Sequence, residues 1–367
     1  MDERRILVTG GAGFIGVRTA WQLAQQPQTK IWVLDSLHSQ VHGEGATPPN
    51  FPENVTFVKG DVCDRSLLHQ LLTIAQPTLL VHMAAKTGDS QSADSIERYC
   101  QVNVTGTAIL LEEIAKTKTP LQKFILLSSR AVYGEGAYWD ATHRQSIVPP
   151  PRKVKDLVAG RFEQRVSSRK LSPAPTPEGT PPSPNSIYAS TKLMQEYLVQ
   201  QAGARQAWSG IIFRLQNVYG PSQSLKTSGR GVLSTFSSQI LAGQPPDVYE
   251  DGQARRDFVF IDDVGRAIAL ACEADLPHST ILNIGSGQGT PILEVARMLL
   301  RLYGQSSNAY TITGNFRTDD ARYAVADIQK AQQLLNWWPQ VNLEQGLARF
   351  AEGYRQAAVT TITSPVR

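Results

Sequence analysis

The chain has 367 residues, 41% of them hydrophobic, which is ample for a buried core in one large α/β unit or two joined lobes. Charged residues make up 19% and the net charge is +4, a mild basic excess spread along the chain. That balance argues against nucleic acid as a partner and suits an anionic small substrate such as a nucleotide diphosphate.

Residues 6–9 are a short apolar run that reads as a strand buried on both faces. It passes directly into Gly10, Gly11, Ala12, Gly13, Phe14, Ile15 and Gly16, and helical apolar spacing follows over 13–25. Glycines at such a turn let the backbone approach a pyrophosphate, whose charge then faces the free N–H groups of the helix start. A second strand, 31–35, ends in Asp35. A carboxylate there can hold adenosine ribose hydroxyls and repels a 2′-phosphate, which predicts NAD rather than NADP. Strand 55–59 leads to Gly60, Asp61 and Val62, placed to hydrogen-bond an adenine, and helix 65–75 follows. Strand 79–83 leads to Ala84 and Ala85, small side chains where a cofactor passes closely. Helix 103–116 and strand 124–128 continue the alternation. The pattern predicts the α/β class, with a Rossmann-type doubly wound parallel sheet.

After Tyr133 the pattern breaks. Residues 139–185 are rich in Pro, Arg and Ser and are expected to form an irregular insertion, either over the active-site side or as a loose surface loop. Helix 189–201 and strand 210–215 come next. The expected division is a dinucleotide-binding domain over 1–215 and a smaller, mainly substrate-binding C-terminal lobe over 216–367. Tyr188 and Lys192 stand four apart at a helix start and so share one face. A protonated lysine beside a phenol lowers its pKa and makes the phenolate an accessible base near neutral pH.

The glycine segment, Asp61-Val62, the run Ser128-Ser129-x-x-Val132-Tyr133-Gly134, the pair Tyr188 and Lys192, and the segment 214–221 together resemble the extended short-chain dehydrogenase/reductase family. The resemblance covers nearly the whole chain and is greatest to nucleotide-sugar 4-epimerases. Stretches 84–92, 128–139 and 216–238 are most similar to those acting on dTDP-L-rhamnose. Where those relatives often carry a cysteine pair in the insertion, this chain has Arg165, Val166, Ser167, Ser168 and Arg169. The resemblance implies that Tyr188 takes the proton of a sugar 4-hydroxyl, that Lys192 binds the nicotinamide ribose and tunes Tyr188, and that Ser129 shares the proton. It implies that Asn217, Arg256 and Arg317 hold a dTDP- or UDP-linked diphosphate, for which arginine has the right bidentate geometry. Lys86 and Asn103 complete the expected cofactor-binding set. A homodimer built partly on helices 103–116 and 189–201 is also implied.

Three other activities share such a scaffold. A 4,6-dehydratase of this family carries two further carboxyls where this chain has Arg130 and Ala131. A 4-keto reductase would more naturally prefer NADPH, which Asp35 opposes. A non-catalytic dinucleotide sensor typically loses the Tyr–Lys pair, which is intact here. No metal-ligand spacing and no apolar run near 20 residues occurs, and Cys63, Cys100 and Cys272 are widely separated. No metal and no membrane partner are therefore expected, and the expected location is the cytoplasm.

Overall fold

The computed structural model describes residues 3–88, 92–166, 169–223 and 231–363. Seven strands pair in parallel: β1 (Arg4–Thr9), β2 (Thr29–Asp35), β3 (Val55–Lys59), β4 (Leu79–His82), β5 (Lys123–Ser129), β6 (Ser209–Leu215) and β7 (Thr280–Ile284). Their order across the sheet is β7-β6-β5-β4-β1-β2-β3. The chain winds outward from β1 in one direction and then from β4 in the other. The crevice at that reversal, at the carboxyl ends of β1 and β4, is where such sheets bind ligands.

The strands are apolar throughout because helices cover both faces. Ile6 and Val8 of β1 point to one side and pack in a core with Ala20 and Leu23 of helix α1 (Phe14–Ala24). Leu7 points to the other, with Leu68 and Leu72 of α2 (Arg65–Ala75) and Leu110 and Ile114 of α3 (Gly106–Lys116). Helix α4 (Ile187–Gln206) lies on that second face, and the Ser186 hydroxyl caps it by accepting from the Ala189 amide at 3.1 Å. Helix α5 (Ile261–Glu273) returns to the first face with Val264, Ile268 and Ala271. Because β7 and α5 both come from the second half of the chain, the division drawn at residue 215 is not a division of the sheet. The remaining second half builds a separate core around Tyr219, Phe236, Phe258, Phe260, Leu299 and Phe350.

Strand β7 carries no clean apolar run because Asn283 interrupts it. That side chain is fully buried and fully used: its amide donates to the carbonyls of Thr176 and Asp327, and its oxygen accepts from the Tyr133 hydroxyl. A buried polar group satisfied in this way is tolerated in a strand that faces protein on both sides.

Residues 139–185 are irregular, as expected, but anchored. Tyr138–Asp140 pairs antiparallel with Gln145–Ile147 and with Ser172–Pro173, and Arg152, Gln164, Thr176 and Thr180 are buried. Ser167 and Ser168, and parts of the stretches 84–92 and 216–238, lie outside the described residues.

One buried carboxylate ties the sheet to α4. Glu196 accepts the Ser128 hydroxyl from β5 and three bonds from Arg214 of β6, the shortest at 2.7 Å. Both ion-pair side chains are almost wholly inaccessible. The Arg214 guanidinium also stacks on Tyr133, 4.6 Å from the ring centre. Removing one member of such a pair strands a buried charge, at a cost of about 3–5 kcal/mol.

Candidate active site

A cavity of about 430 Å³ opens at the carboxyl ends of β1 to β5. Of the residues expected to bind cofactor or act in catalysis, it is lined by Gly10, Gly13, Phe14, Ile15, Gly16, Asp35, Asp61, Val62, Ala84, Ala85, Lys86, Tyr188 and Lys192. The glycine loop has no room for side chains. Gly10 has φ +68°, and a Cβ on it would stand 2.6 Å from the Ala84 nitrogen. A Cβ on Gly16 would stand 2.5 Å from the Gly10 carbonyl. Helix α1 starts without a side-chain cap, so its first amides are available to an anion at the cavity wall.

Asp35 shapes this loop as well as lining the cavity. One carboxylate oxygen accepts from the Ala12 amide at 3.0 Å and the other from Leu37 at 2.9 Å. An ionised carboxylate has about four acceptor positions; these amides use two and the His42 ring nitrogen stands 3.5 Å from one oxygen, and the capacity left over is available to ribose hydroxyls. Asp61 accepts from the Cys63 amide at 2.9 Å and faces Arg98 at 3.7 Å. The loop, the uncapped helix start and the carboxylate at the end of β2 are together what a bound NAD requires.

Asn103 lies on a π-helical turn, Cys100–Thr105, ahead of α3, and is fully buried. Its oxygen accepts from the Lys86 amide at 2.7 Å, and its amide donates to the Lys86 carbonyl and the Thr191 hydroxyl. The side chain is thus committed to protein, and it joins the loop after β4 to the turn of α4 that carries Lys192. This differs from the cofactor contact expected of it, because the wide π turn aims the amide at Lys86 and Thr191.

Sequence reasoning missed His82, whose only signal is a polar residue ending an apolar strand. It is completely buried between the hydroxyls of Thr9 at 2.7 Å and Thr107 at 2.9 Å. The Thr107 hydroxyl donates to the Asn103 carbonyl, so His82 donates to it through Nε2 and accepts from Thr9 through Nδ1. Burial pushes the imidazole down to about 3, with the nearby Lys192 charge adding to the effect, so it stays neutral. His82 therefore connects the start of the glycine loop to the helix beside the catalytic pair.

Tyr188 and Lys192 meet on the cavity wall, where Tyr99 packs edge-on against Tyr188 with ring centres 6.3 Å apart. Lys192 is 3% exposed. Ser128 lines the cavity, but its hydroxyl is given to Glu196. Ser129 is set back from the wall and accepts from the Ala131 amide at 3.1 Å, which leaves its own hydrogen free to donate.

The three residues expected to bind substrate lie apart from the cofactor cavity. Asn217 aligns with Phe258 on the neighbouring strand, and its buried side-chain oxygen lacks a partner among the described residues. Arg256 is 5% exposed and holds the Asp320 carboxylate at 2.5 Å. Arg317 lies over the Tyr249 ring at 5.7 Å. Arg256 and the turn bearing Arg317 thus converge, joined through Asp320. Among the described residues, no group of three or more His, Cys, Asp or Glu is placed to hold a metal ion.

Burial pulls the Lys192 amine down to about 7, against the Glu196 carboxylate one turn away. A lysine whose proton is held less tightly in the folded state weakens the fold while it is charged. That cost is full below pH 7 and disappears as the pH rises past the unfolded value near 10.4. Lys192→Met is therefore expected to stabilise the cofactor-free protein at pH 6 by on the order of 2–4 kcal/mol, with the gain vanishing near pH 10.5. Thermal unfolding at the two pH values checks this; an equal gain at both would contradict it.

Residues 6–154 and 165–285 match the NAD dependent epimerase/dehydratase family. The dTDP-L-rhamnose 4-epimerase of Burkholderia thailandensis is 38% identical over 347 residues, covering 95% of this chain and 94% of that protein. The crystal structure of UDP-glucose 4-epimerase with UDP-glucose from Thermotoga maritima superposes with a TM-score of 0.77 at 27% identity, covering 96% of this chain and 99% of that one. The Thermus thermophilus UDP-glucose 4-epimerase in complex with NAD gives a TM-score of 0.75 at 26% identity, with the same coverage. With the fold, the glycine loop and the Tyr–Lys pair in agreement, this chain belongs to the NAD dependent epimerase/dehydratase family.

Proposed function

We propose that the protein inverts C4 of a dTDP- or UDP-linked hexose through a transient 4-keto sugar. The observation that carries this reading is that Tyr188 and Lys192 stand on the wall of the same cavity that the glycine loop and Asp35 line. NAD, when bound, supplies the acceptor and donor of the C4 hydride. The residues of the chain manage the proton and the geometry. Tyr188 takes the 4-hydroxyl proton and returns it, Lys192 holds the ribose and lowers the phenol's pKa, and Ser129 offers its free hydrogen to the 4-oxygen. Asn217, Arg256 and Arg317 grip the diphosphate from the second lobe, largely built from residues after 215. Arg130 and Ala131 bring no carboxyl next to Ser129, so the removal of a C5 proton that a dehydratase needs has no acid or base there.

A panel of dTDP- and UDP-sugars, read by NMR for new C4 epimers, tests the assignment. Conversion of none of them, or formation of a 6-deoxy-4-keto product, would overturn it. Tyr188→Phe keeps the ring packing and deletes the phenol. It should cut turnover by about a hundredfold to ten-thousandfold while NAD stays bound. Retention of near-normal turnover would remove Tyr188 from the chemistry.

Asp35 sets the cofactor. Its remaining acceptor positions favour ribose hydroxyls and its charge opposes a 2′-phosphate. The protein should bind NAD more tightly than NADP in direct titrations, and Asp35→Ala should narrow the gap. Equal affinities in the unaltered protein would contradict this.

Two chains associate through α3 and α4 in this reading. Met194 and Tyr197, one turn apart on α4, each leave 46% of their surface exposed, an apolar pair that a partner helix could cover. Light scattering should return twice the chain mass, and a monomer would refute the dimer. The three cysteines are free, which fits a reducing compartment, the cytoplasm, and cell fractionation tests that location. Among the described residues no helix is long and apolar enough to cross a membrane.

A further inference from the structure

The insertion 139–185 has no place in the chemistry described so far, yet buried ion pairs tie it to the second half of the chain. Arg322 is 4% exposed and reaches Glu163 of the insertion at 2.7 Å, Glu250 at 2.9 Å and Asp251 at 2.7 Å. Arg152 of the insertion is 8% exposed and pairs with Glu250 at 2.8 Å. These contacts clamp the insertion onto the segment just after the turn that carries Arg317 and Asp320.

Two further donors act on the turn itself. The Arg152 guanidinium donates to the Asp320 carbonyl at 2.7 Å. The Asn185 amide donates to the Asp319 carbonyl at 2.9 Å. Two consecutive backbone carbonyls are therefore held from outside by side chains at opposite ends of the insertion. A carbonyl oxygen carries partial negative charge and repels an incoming phosphate. Both carbonyls are thereby turned onto donors, while the Asp320 side chain of the same turn is held by Arg256. The stretch 313–320 has no regular secondary structure; backbone bonds of Thr313 and Asn315 to Val248 and Glu250 hold its start, and the Arg152 and Asn185 ties, with the Arg256–Asp320 pair, hold its end. Asn185 also lies three residues before Tyr188, so the strap that holds the turn leads straight into the catalytic helix.

We propose that Arg152 and Asn185 are positioning residues, through which the insertion holds the turn of Arg317 and Asp320 in the shape that receives the substrate's diphosphate. This rests on the reading of Arg256 and Arg317 as the diphosphate grip. The insertion is then a brace for substrate binding rather than a cover over the sugar.

Arg152 is a poor probe, because its loss takes the paired cation from buried Glu135 and one of two from Glu250, which endangers the fold. Asn185→Leu is suitable, since it keeps the approximate volume and removes the donor without adding a charge. The NAD-loaded full-length protein is titrated with dTDP and with UDP, its NAD affinity and Tm are measured, and kcat and KM are followed with dTDP-L-rhamnose. Asn185→Leu is expected to weaken the better-bound nucleoside diphosphate about five- to tenfold, the loss typical of one hydrogen bond. KM should rise to match, while kcat, NAD affinity and Tm stay close to those of the unaltered protein. Asn185→Gln, which restores a donor, should recover part of the loss. Unchanged diphosphate affinity, or a parallel fall in NAD affinity, kcat and Tm, would overturn the positioning role. Arg317→Ala is measured alongside. If it weakens the diphosphate and Asn185→Leu does not, only the positioning role fails; if neither has an effect, the diphosphate reading fails and the positioning role with it.

Discussion

The site depends on keeping one lysine charge in a place that resists charge. Lys192 is a buried residue of α4, and its amine is held well below its ordinary range. What makes this tolerable is Glu196, one turn further along the same helix. That carboxylate is fixed by Ser128 from β5 and Arg214 from β6, so it cannot swing away. The motif residues around positions 128, 133 and 214 thus support the helix that carries Tyr188 and Lys192. Arg214 stacks on Tyr133, Tyr133 donates to Asn283, and the chain of contacts runs from the catalytic helix to the last strand of the sheet.

A second line of support comes from the other side of the pair. His82 joins Thr9, at the start of the glycine loop, to Thr107, and Asn103 joins Lys86 to Thr191. Cofactor loop and catalytic helix are therefore linked by neutral hydrogen bonds that do not titrate near neutral pH, His82 included. Such a frame holds a reacting group in place without introducing a charge that competes with Lys192.

Much of this was legible in the residues. Six of the seven strands are apolar runs ending in small or polar residues, and those ends, Gly10, Asp35, Asp61 and Ala84, are the cavity wall. Periodicity could not reveal β7, because the buried Asn283 breaks its apolar run and its partners come from distant segments. Nor could sequence show that 139–185 is anchored. Its order comes from ion pairs with Glu250 and Arg322, which lie about a hundred residues or more downstream and leave no local trace. Asn103 was recognised as a site residue, but the π turn that aims it at Lys86 is a matter of backbone geometry, not composition.

The central claim is that hydride leaves and returns at C4 within one closed site. It is tested most directly with a nucleotide sugar that the enzyme converts, deuterated at C4 and incubated with protein carrying unlabelled NAD. The account predicts that the label remains at C4 in the epimerised product and that no free NADH accumulates. Loss of the label to solvent, or steady build-up of NADH, would contradict it.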